Sequence, residues 1–399
     1  TVPKRFAPRF FTAPAWSPDG AQIAVAVQDE STRTTDLLLI AVDEGGERVV
    51  RSGLAGASFL HWMPDGSGIL FTGSPGTEWA TAGAQIWLQP LDGSDPQRVT
   101  TDAIEYRNVT VAGDGNTLIA IGTDHQATLW RVALGEEGGA ERIPSMRGDG
   151  LGGTAWIGDR LYFTGFETGQ AQIWSMAADG SDRRQITAEG WTAWPCASPD
   201  GRRLFAIGAR GGEVGILTMD PDGRNPRRLA SVQYEGWLTI SPDGRWLYYT
   251  VESGSEESTW RLSVDGGEPH LVVRGLGAAS LSSDGRRLAG LWRRSAQEPY
   301  SLGVFDAESG AQQLDFPGFY STGLGKAVQW SRDGQSLLLT TSERMNIWRQ
   351  PLAGGPLEKV TSFVDDAIFT VAPDADGTAL ILSRGPSIRD AFLISGLRR

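Results

Sequence analysis

The residues that could perform acid–base or metal chemistry in this 399-residue chain are few and widely separated. Its three histidines, His61, His125 and His270, fall in different segments of the sequence. Nucleophilic hydrolysis needs a base and an orienting acid beside the nucleophile, and a metal site needs clustered ligands. No Gly-x-Ser-x-Gly stretch is present. The sequence therefore predicts no catalytic residue and no metal site, and only His125, in a loop, is placed to face a ligand.

Two acidic stretches resemble the start of a calcium-binding loop. They are Asp220-Pro221-Asp222-Gly223 and Asp374-Ala375-Asp376-Gly377. A calcium loop requires further oxygen ligands at spaced positions and a late glutamate, whereas both stretches coincide with predicted turns. No phosphate-binding or dinucleotide-binding glycine motif occurs elsewhere. We therefore interpret both stretches as turns and expect no cofactor.

Aromatic residues beside charged residues in predicted loops are the strongest candidates for binding chemistry. Loops held on a rigid scaffold commonly carry binding sites, and aromatic anchors commonly dominate their binding energy. The alternative is that Trp191, Trp194 and Trp237 pack over the ends of the sheets, and both interpretations stay open. The candidate partner-binding residues are Trp79, Glu105, Tyr106, Arg107, Trp191, Trp194, Tyr234, Trp237, Tyr320 and Arg344.

The element that must position these residues is a repeated hairpin, first seen around Ser17-Pro18-Asp19-Gly20. Proline pre-sets φ for the second position of a type I turn, aspartate suits the third, and glycine accepts the positive φ that follows. An apolar segment enters each turn and another leaves it. The turn aspartates of the nine copies are residues 19, 65, 114, 159, 200, 243, 284, 333 and 376, at steps of 41 to 49 residues.

Each repeat predicts four strands, which we call A, B, C and D. Strand A enters the turn, and strand B leaves it as a nearly continuous apolar run, such as Leu247–Thr250, typical of a strand covered on both faces. Strand C carries a tryptophan in several repeats, and strand D is short and charged, as suits an outer edge. A period in the forties made only of strands indicates propeller blades. We therefore predict an all-β, closed β-propeller of nine four-stranded blades, or eight alternatively, in a single domain spanning 1–399.

The ninth repeat contains strands A, B and C but no strand D. Near the other terminus, Pro3–Ala7 has the character of a D strand. We therefore expect the N-terminal strand to complete the last blade and close the ring, which would cover an edge that is otherwise open to pairing.

Bulk properties exclude some partners. The formal net charge is −12 without a basic cluster, which argues against nucleic acid. Cys196 is the single cysteine, so no internal disulfide is expected. No apolar run approaches transmembrane length, so direct membrane insertion is not expected. We expect a monomer, and these properties do not identify its compartment.

The repeats resemble those of the TolB-like, or WD40-like (PD40), propellers with their Trp-Ser-Pro-Asp-Gly signature, across essentially the whole chain. The segment 360–395 is similar to the end of propellers attached to bacterial serine/threonine protein kinases. The resemblance implies a non-catalytic sensor or protein-interaction propeller that binds a protein, peptide or small-molecule ligand on the loop face opposite the hairpin turns. A kinase-attached propeller would be extracytoplasmic. The alternative is a propeller enzyme or an accessory domain of a prolyl-oligopeptidase-type peptidase.

Overall fold

The computed structural model describes residues 10–12, 14–28, 34–43, 45–74, 84–102, 104–134, 139–211, 213–232, 237–253, 256–295, 297–318 and 328–397. All regular secondary structure in these ranges is β-strand, and within them no helix is long and apolar enough to cross a membrane. The prediction of an all-β protein is therefore confirmed. By contacts the chain divides into two compact units, unit 1 (Thr1–Asp124 with Ile388–Arg399) and unit 2 (His125–Ser387).

The hairpin turns have the geometry that their sequence predicts. In the turn of the sixth repeat, the Ser241 hydroxyl donates to the Asp243 carboxylate at 2.5 Å, and the Arg245 N–H donates to the same oxygen at 3.1 Å. The Trp246 N–H donates to Ser241 Oγ, and Gly244 has a φ of 70°. Serine, aspartate and glycine thus fix the reversal locally. The same serine–aspartate bond recurs at Ser17, Ser198, Ser282 and Ser331.

Unit 1 contains two sheets. The first has the order β1-β3-β4-β5-β6-β7-β8, with β2 also paired to β3, and β5 serves two repeats because it pairs with β4 and then with β6. The second has the order β35-β10-β9. The strands are β1 (Phe10–Phe11), β2 (Ala15–Trp16), β3 (Gln22–Gln28), β4 (Thr34–Ala41), β5 (Glu47–Trp62), β6 (Gly68–Ser74), β7 (Gln85–Pro90), β8 (Gln97–Arg98), β9 (Glu105–Val111), β10 (Thr117–His125) and β35 (Ser387–Ser395).

Unit 2 contains six four-stranded antiparallel sheets in its described residues. Five are formed by consecutive strands from β13 to β32, and the sixth has the order β12-β11-β34-β33. The strands are β11 (Thr128–Ala133), β12 (Ala140–Arg142), β13 (Thr154–Ile157), β14 (Arg160–Gly165), β15 (Gln172–Ala177), β16 (Arg184–Gln185), β17 (Trp191–Ala197), β18 (Leu204–Arg210), β19 (Glu213–Met219), β20 (Arg227–Ser231), β21 (Leu238–Ile240), β22 (Trp246–Ser253), β23 (Glu256–Ser263), β24 (His270–Arg274), β25 (Leu276–Leu281), β26 (Arg287–Trp292), β27 (Ser301–Asp306), β28 (Gln312–Phe316), β29 (Val328–Trp330), β30 (Ser336–Thr340), β31 (Ile347–Pro351), β32 (Glu358–Lys359), β33 (Ala367–Pro373) and β34 (Ala379–Gly385).

The six sheets of unit 2 close into a ring. Their A strands contact one another in the cycle β13, β17, β21, β25, β29, β33 and back to β13. Strand B of each sheet is covered on both faces; Leu204, Phe205 and Ile207 in β18, for example, have no exposed surface. Unit 2 therefore has the architecture of a β-propeller, with its core between adjacent sheets.

A buried polar bridge links each of several sheets to the chain that enters the next sheet. In the fourth repeat, Thr187 Oγ1 donates to Gln172 Oε1, and Gln172 Nε2 donates to the Gly190 carbonyl, both at 2.6 Å. The Ile173 N–H completes the bridge by donating to Thr187 Oγ1. Equivalent bridges occur at Gln85, Thr100 and Ile104, and at Asn346, Thr361 and Phe363. The bridges fix where the following A strand begins.

The third and ninth repeats differ from the predicted arrangement of one sheet per repeat. Strand C of the third repeat, β11, pairs with strand B of the ninth, β34, while β10 pairs with β35. The predicted count of nine or eight blades is therefore not confirmed. Residues 3–7, the predicted closing strand, lie outside the described residues. A single domain over 1–399 stays a prediction.

Candidate functional site

Strand A carries a left-handed residue at a constant position, six residues before the turn aspartate. Six of the nine repeats show it in the described residues, with φ between 48° and 90°. A positive φ is unusual for any residue other than glycine and is strained for a bulky one, so it persists only where the surroundings enforce it. The six residues are Phe59, Asn108, Gly153, Trp194, Trp237 and Ala278.

The preceding sheet enforces this conformation in unit 2. The Trp194 N–H donates to the Gly152 carbonyl at 2.7 Å and lies 3.3 Å from Thr164 Oγ1 at the end of β14. The Ala278 N–H donates to Thr250 Oγ1 in β22 at 3.1 Å. Strands β17 and β25 each contain a β-bulge at this position. Threonine at the end of one B strand thus holds the bulge of the next A strand.

The bulges bring two tryptophans of successive sheets together. The ring centroids of Trp194 and Trp237 lie 5.0 Å apart with an interplanar angle of 37°. Trp194 is also close to Gly153, where an added Cβ would lie 3.1 Å from the indole. Trp194 therefore contacts the equivalent positions of both neighbouring sheets, Gly153 and Trp237.

Trp237 extends this contact across the ring of unit 2. It is half-buried and packs against an apolar cluster that includes Leu338, Ile347 and Ile368, from sheets that do not adjoin its own. A side chain that reaches non-neighbouring sheets must cross the centre of the ring. Trp194 has only 8% of its surface exposed, so the accessible part of the pair belongs chiefly to Trp237. We call Trp194 and Trp237 the tryptophan pair.

Two other predicted aromatic residues are deeply buried. Trp191 in β17 and Tyr106 in β9 each have 2% of their surface exposed. The Tyr106 hydroxyl donates to Asp102 Oδ2 at 2.9 Å, and burial raises the pKa of this phenol. At Trp191, as at Trp194, burial favours the packing interpretation that the sequence left open.

The remaining predicted residues are distributed over the chain. Glu105 and Arg107 form an ion pair on β9 in unit 1, beside Tyr106. Arg344 belongs to unit 2, has a φ of 52°, and lies 6.0 Å from the centroid of the Phe369 ring. The structure thus groups Trp194 with Trp237, and Glu105 with Tyr106 and Arg107. Trp79, Tyr234 and Tyr320 lie outside the described residues.

A buried ion pair in the fourth repeat is absent from the sequence-based candidates. Arg183 donates to both carboxylate oxygens of Asp149, at 2.8 and 3.0 Å, and also pairs with Glu167. Its guanidinium lies over the rings of Phe163 and Trp174. Asp149 has no exposed surface, and burial raises its carboxyl pKa even though Arg183 opposes the shift. The sequence does contain a signal for this pair: Arg183 follows the second turn of the fourth repeat, and strand C of the same repeat carries Trp174.

An ion pair in the sixth sheet of unit 2 has the opposite burial, with a buried arginine, Arg384, and a largely exposed partner, Asp365. Arg384 is 4% exposed and donates to the Asp365 carbonyl and carboxylate at 2.7 and 2.6 Å. Its guanidinium lies 4.1 Å from the Phe363 ring centroid and 5.2 Å from that of Trp130. Each arginine fixes a loop that leads into an A strand, so these charges hold the scaffold around the tryptophan pair.

The histidine and calcium-like candidates show no clustered donors. His125 Nδ1 lies 3.0 Å from the Ser387 hydroxyl, and its ring centroid is 5.0 Å from that of Phe369. Asp374 and Asp376 accept the N–H groups of Ala379 and Thr378 within their turn. Across the described ranges, no group of three histidine, cysteine or acidic side chains is arranged to hold a metal ion.

Comparison with known proteins gives distant similarities. No family model matches. An uncharacterized protein of Agrobacterium fabrum is 29% identical over 207 residues. The aligned region covers 49% of this chain and 64% of the relative, so the chain spans less than two thirds of that relative's length. Among solved structures, TolB from Acinetobacter baumannii aligns with 92% of this chain and 81% of its own at 14% identity and a TM-score of 0.44. A putative TolB from Agrobacterium tumefaciens covers 95% and 92% at 16% identity and a TM-score of 0.30.

These scores are low, so the fold assignment rests on the sheets themselves. Five consecutive repeats of unit 2 share one strand order, six of the nine repeats share the left-handed position in the described residues, and the A strands of unit 2 close a ring. This chain is therefore an all-β protein whose unit 2 has a β-propeller fold.

Proposed function

We propose that this protein is a non-catalytic binding module and that unit 2 receives its ligand or partner at the accessible side of the tryptophan pair. The observation that carries the proposal is the contact between two indoles, each held with a left-handed backbone on adjoining A strands. Backbone strain of this kind clusters at ligand-binding and active sites, where the surrounding structure maintains it.

The chemistry of the pair indicates what it would bind. The two tilted indoles offer an apolar surface, and its accessible part belongs chiefly to Trp237. A protein side chain, a peptide or a small molecule with a flat or apolar face fits this surface.

The proposal also covers cellular context. The similarity of segment 360–395 to kinase-attached propellers supports a sensor role within a bacterial serine/threonine kinase, in which case the propeller would be extracytoplasmic. The partner would be neither nucleic acid nor membrane, given the net charge of −12. The full reading frame of the gene tests this part, since a kinase domain joined to the propeller would support it and a hydrolase domain would favour the peptidase alternative.

The binding site is tested by replacing each member of the pair with glycine. Glycine accepts the left-handed backbone at both positions, so Trp194→Gly and Trp237→Gly remove the indole without adding backbone strain. We expect Trp237→Gly to weaken binding about 30-fold, as loss of an aromatic anchor typically costs about 2 kcal/mol. The measurement is a screen of peptide and glycan libraries by indole fluorescence, followed by titration of each hit.

Phe59→Gly is the matched control, because Phe59 occupies the same left-handed position in unit 1. It should leave the affinity for each hit unchanged. Equal affinities of wild type and Trp237→Gly, or crosslinks that map to the hairpin turns at Asp200 and Asp243, would show that the pair is only part of the core.

A further inference from the structure

A groove lies between the hairpin turns of the fifth and sixth repeats, which both belong to unit 2, and its volume is about 420 Å³. The buried side chains of Phe205 and Val264 line it together with the exposed rings of Pro199 and Pro242. We call it the turn groove. It combines an apolar base with an opening to solvent between two adjacent turns.

Side chains of the protein itself reach across the next two junctions around the ring. Between the sixth and seventh repeats, the Tyr248 hydroxyl donates to the Ala307 carbonyl at 3.4 Å. Between the seventh and eighth repeats, Arg287 donates to the Gly334 carbonyl at 3.1 Å, and its guanidinium lies 4.7 Å from the centroid of the Trp330 ring. In the second case an arginine thus lies over the hairpin turn of the following repeat.

The fifth repeat has an arginine at the same position, but its guanidinium has a different partner. Arg203 and Arg287 each lie three residues after the turn aspartate of their repeat. Arg203 donates to the Val264 carbonyl at 3.2 Å and to the Asp265 carboxylate at 2.9 Å. It therefore binds the turn between strands C and D of the following repeat, whereas Arg287 binds the hairpin turn.

A single residue, Asp265, accounts for this difference. Val264 and Leu352 are equivalent, because each N–H donates to the carbonyl of the residue two positions after the turn aspartate of its repeat. The next residue is Asp265 in the sixth repeat and Ala353 in the eighth. The alanine side chain accepts no hydrogen bond, so the arginine of the seventh repeat turns to the hairpin instead, while Asp265 holds Arg203 away from it.

The turn groove consequently presents acceptor oxygens beside its proline rings. The carbonyl of Gly244, the counterpart of Gly334, lines the groove, and no described residue donates to it. The Ser198 hydroxyl and the Arg202 N–H both donate to Asp200 Oδ1, and no described residue donates to Oδ2. These bonds lower the pKa of Asp200, so its carboxylate is ionised at neutral pH.

We propose that the turn groove receives an arginine side chain from a partner protein, in the way that Arg287 occupies the junction two repeats further on. The methylene groups of the incoming side chain pack on Pro199 and Pro242, and its guanidinium donates to the Gly244 carbonyl and the Asp200 carboxylate. A guanidinium suits this role because it is planar, always charged and weakly hydrated, and carries five donors.

The charge of the protein supports the same partner, since a chain with a formal net charge of −12 attracts a basic surface. The site is separate from the tryptophan pair, which lies six residues before the turn aspartates on the A strands. The two sites can therefore be tested independently.

The probe is the blocked peptide acetyl-Gly-Arg-Gly-amide, titrated into protein labelled with ¹⁵N-glycine. The NMR shift of the Gly244 amide signal measures binding at the turn groove. The matched peptide contains citrulline, which has nearly the shape of arginine but no charge. We expect the citrulline peptide to bind about tenfold more weakly or less, because hydrogen bonds to charged groups are stronger than neutral ones.

Asp265→Ala tests the comparison with the eighth repeat. It removes the partner of Arg203, which should then turn to Gly244 as Arg287 turns to Gly334, and compete with the peptide. We expect about fivefold weaker binding, the reduction that follows if the groove is filled in about four fifths of the molecules. The fold should be unaffected, because both members of the pair are largely exposed.

The double variant Arg203→Ala with Asp265→Ala separates competition from charge. It removes the competitor and has the same net charge as the wild type, so the peptide should bind it about as tightly as the wild type.

Four outcomes would overturn the proposal. The first is equal binding of the arginine and citrulline peptides, and the second is a double variant that binds as weakly as Asp265→Ala. The third is equally tight binding of methylguanidinium, which would assign the groove to a small guanidinium compound. The fourth is a loss of peptide binding in Trp237→Gly, which would place the peptide at the tryptophan pair, whereas unchanged binding there leaves the turn groove as its site.

Discussion

Asp243 shows how one residue type determines the hairpin turn. Its carboxylate accepts hydrogen bonds from the Ser241 hydroxyl, the Arg245 N–H and the Arg245 guanidinium. These donors favour the ionised form and lower the pKa of this exposed carboxyl to about 2. Asp19, Asp200, Asp284 and Asp333 have lowered pKa values for the same leading reason, a bond from the turn serine. The contribution of each of these turns to folding stability should therefore change with pH in the same direction.

The pH dependence of stability tests this explanation. A carboxyl whose pKa is lowered on folding stabilises the fold above its unfolded pKa of about 3.9, and that contribution is lost as the pH falls through the folded value of about 2. Asp243→Asn should therefore reduce the fall in unfolding free energy between pH 4 and pH 2, measured by urea denaturation. Asp315→Asn, on the exposed β28, is the control, and an equal reduction in it would contradict the assignment.

At the residue scale, the sequence identifies both members of the tryptophan pair as candidates but does not predict that they contact each other. Aromatic residues ahead of strand A were recognisable as candidates. Their contact was not, because the residue at the left-handed position varies in type among phenylalanine, asparagine, glycine, tryptophan and alanine. The constant spacing of six residues from the turn aspartate is the signal that could have aligned Trp194 with Trp237.

At the scale of elements, the loop that enters β13 depends on the buried pair of Asp149 and Arg183. Arg183→Met keeps most of the side-chain volume but leaves the Asp149 carboxylate uncompensated. Breaking a buried ion pair from one side typically costs 3–5 kcal/mol, and we expect a loss of about that size in unfolding free energy at pH 8. Burial already raises the pKa of Asp149, so protonation should relieve the uncompensated charge and make the loss smaller at pH 5.

The matched comparison uses Arg184, an exposed neighbour that pairs with Asp182 on the surface. Arg184→Met should change stability little, because exposed ion pairs contribute about 0–1 kcal/mol. If Arg183→Met loses the same unfolding free energy at pH 8 and at pH 5, lost packing against Phe163 and Trp174 is responsible and the ion-pair explanation is wrong.

Strand β35 is the element with an open edge. It lies at the end of its three-stranded sheet in the described residues, and the same sheet exposes Ile119 and Leu393, the latter with 71% of its surface accessible. An open edge beside apolar surface promotes association. If Pro3–Ala7 covers this edge, deleting residues 1–9 should lower the melting temperature by a few degrees, about 2–4 °C per kcal/mol lost, and cause aggregation.

Calorimetry and light scattering measure both effects. Deletion of residues 1–2 is the control, since it retains the predicted strand. A monodisperse protein with an unchanged melting temperature after deletion of residues 1–9 would exclude the N-terminal segment as the cover of β35.

At the scale of the whole molecule, the sequence predicts the local strands and turns, but it does not predict which distant strands pair. Turn chemistry and doubly covered B strands identified the strand content and the repeating sheet, because those signals lie within a few residues. The pairing of β11 with β34 could not be derived, since every repeat offers the same register to a C strand. The ion pairs of Arg183 with Asp149 and of Arg384 with Asp365 join residues 34 and 19 positions apart, and the sequence patterns considered above do not identify them.

Cys196 provides a probe of unit 2 as a whole. It lies in β17, in the apolar cluster between its own sheet and the next, and burial raises its thiol pKa to about 12. Because the thiolate is the reactive form, we expect a thiol reagent to label Cys196 only when unit 2 unfolds, so the labelling rate should follow the unfolding transition in urea. Gln313→Cys, on the exposed β28, should label at once, and equally rapid labelling of native Cys196 would contradict the burial.

The division of the chain between the two units has a consequence for biosynthesis. Unit 2 is one uninterrupted segment, whereas unit 1 takes its last strand, β35, from beyond unit 2. A ribosome therefore completes all the strands of unit 2 before it supplies β35. Domains generally fold as units as they emerge, so the propeller ring can form on the nascent chain while the sheet of β9 and β10 waits for its third strand. The apolar side chains of β9 and β10 that pack against β35 stay uncovered during this interval, which is when the chain is most prone to aggregate.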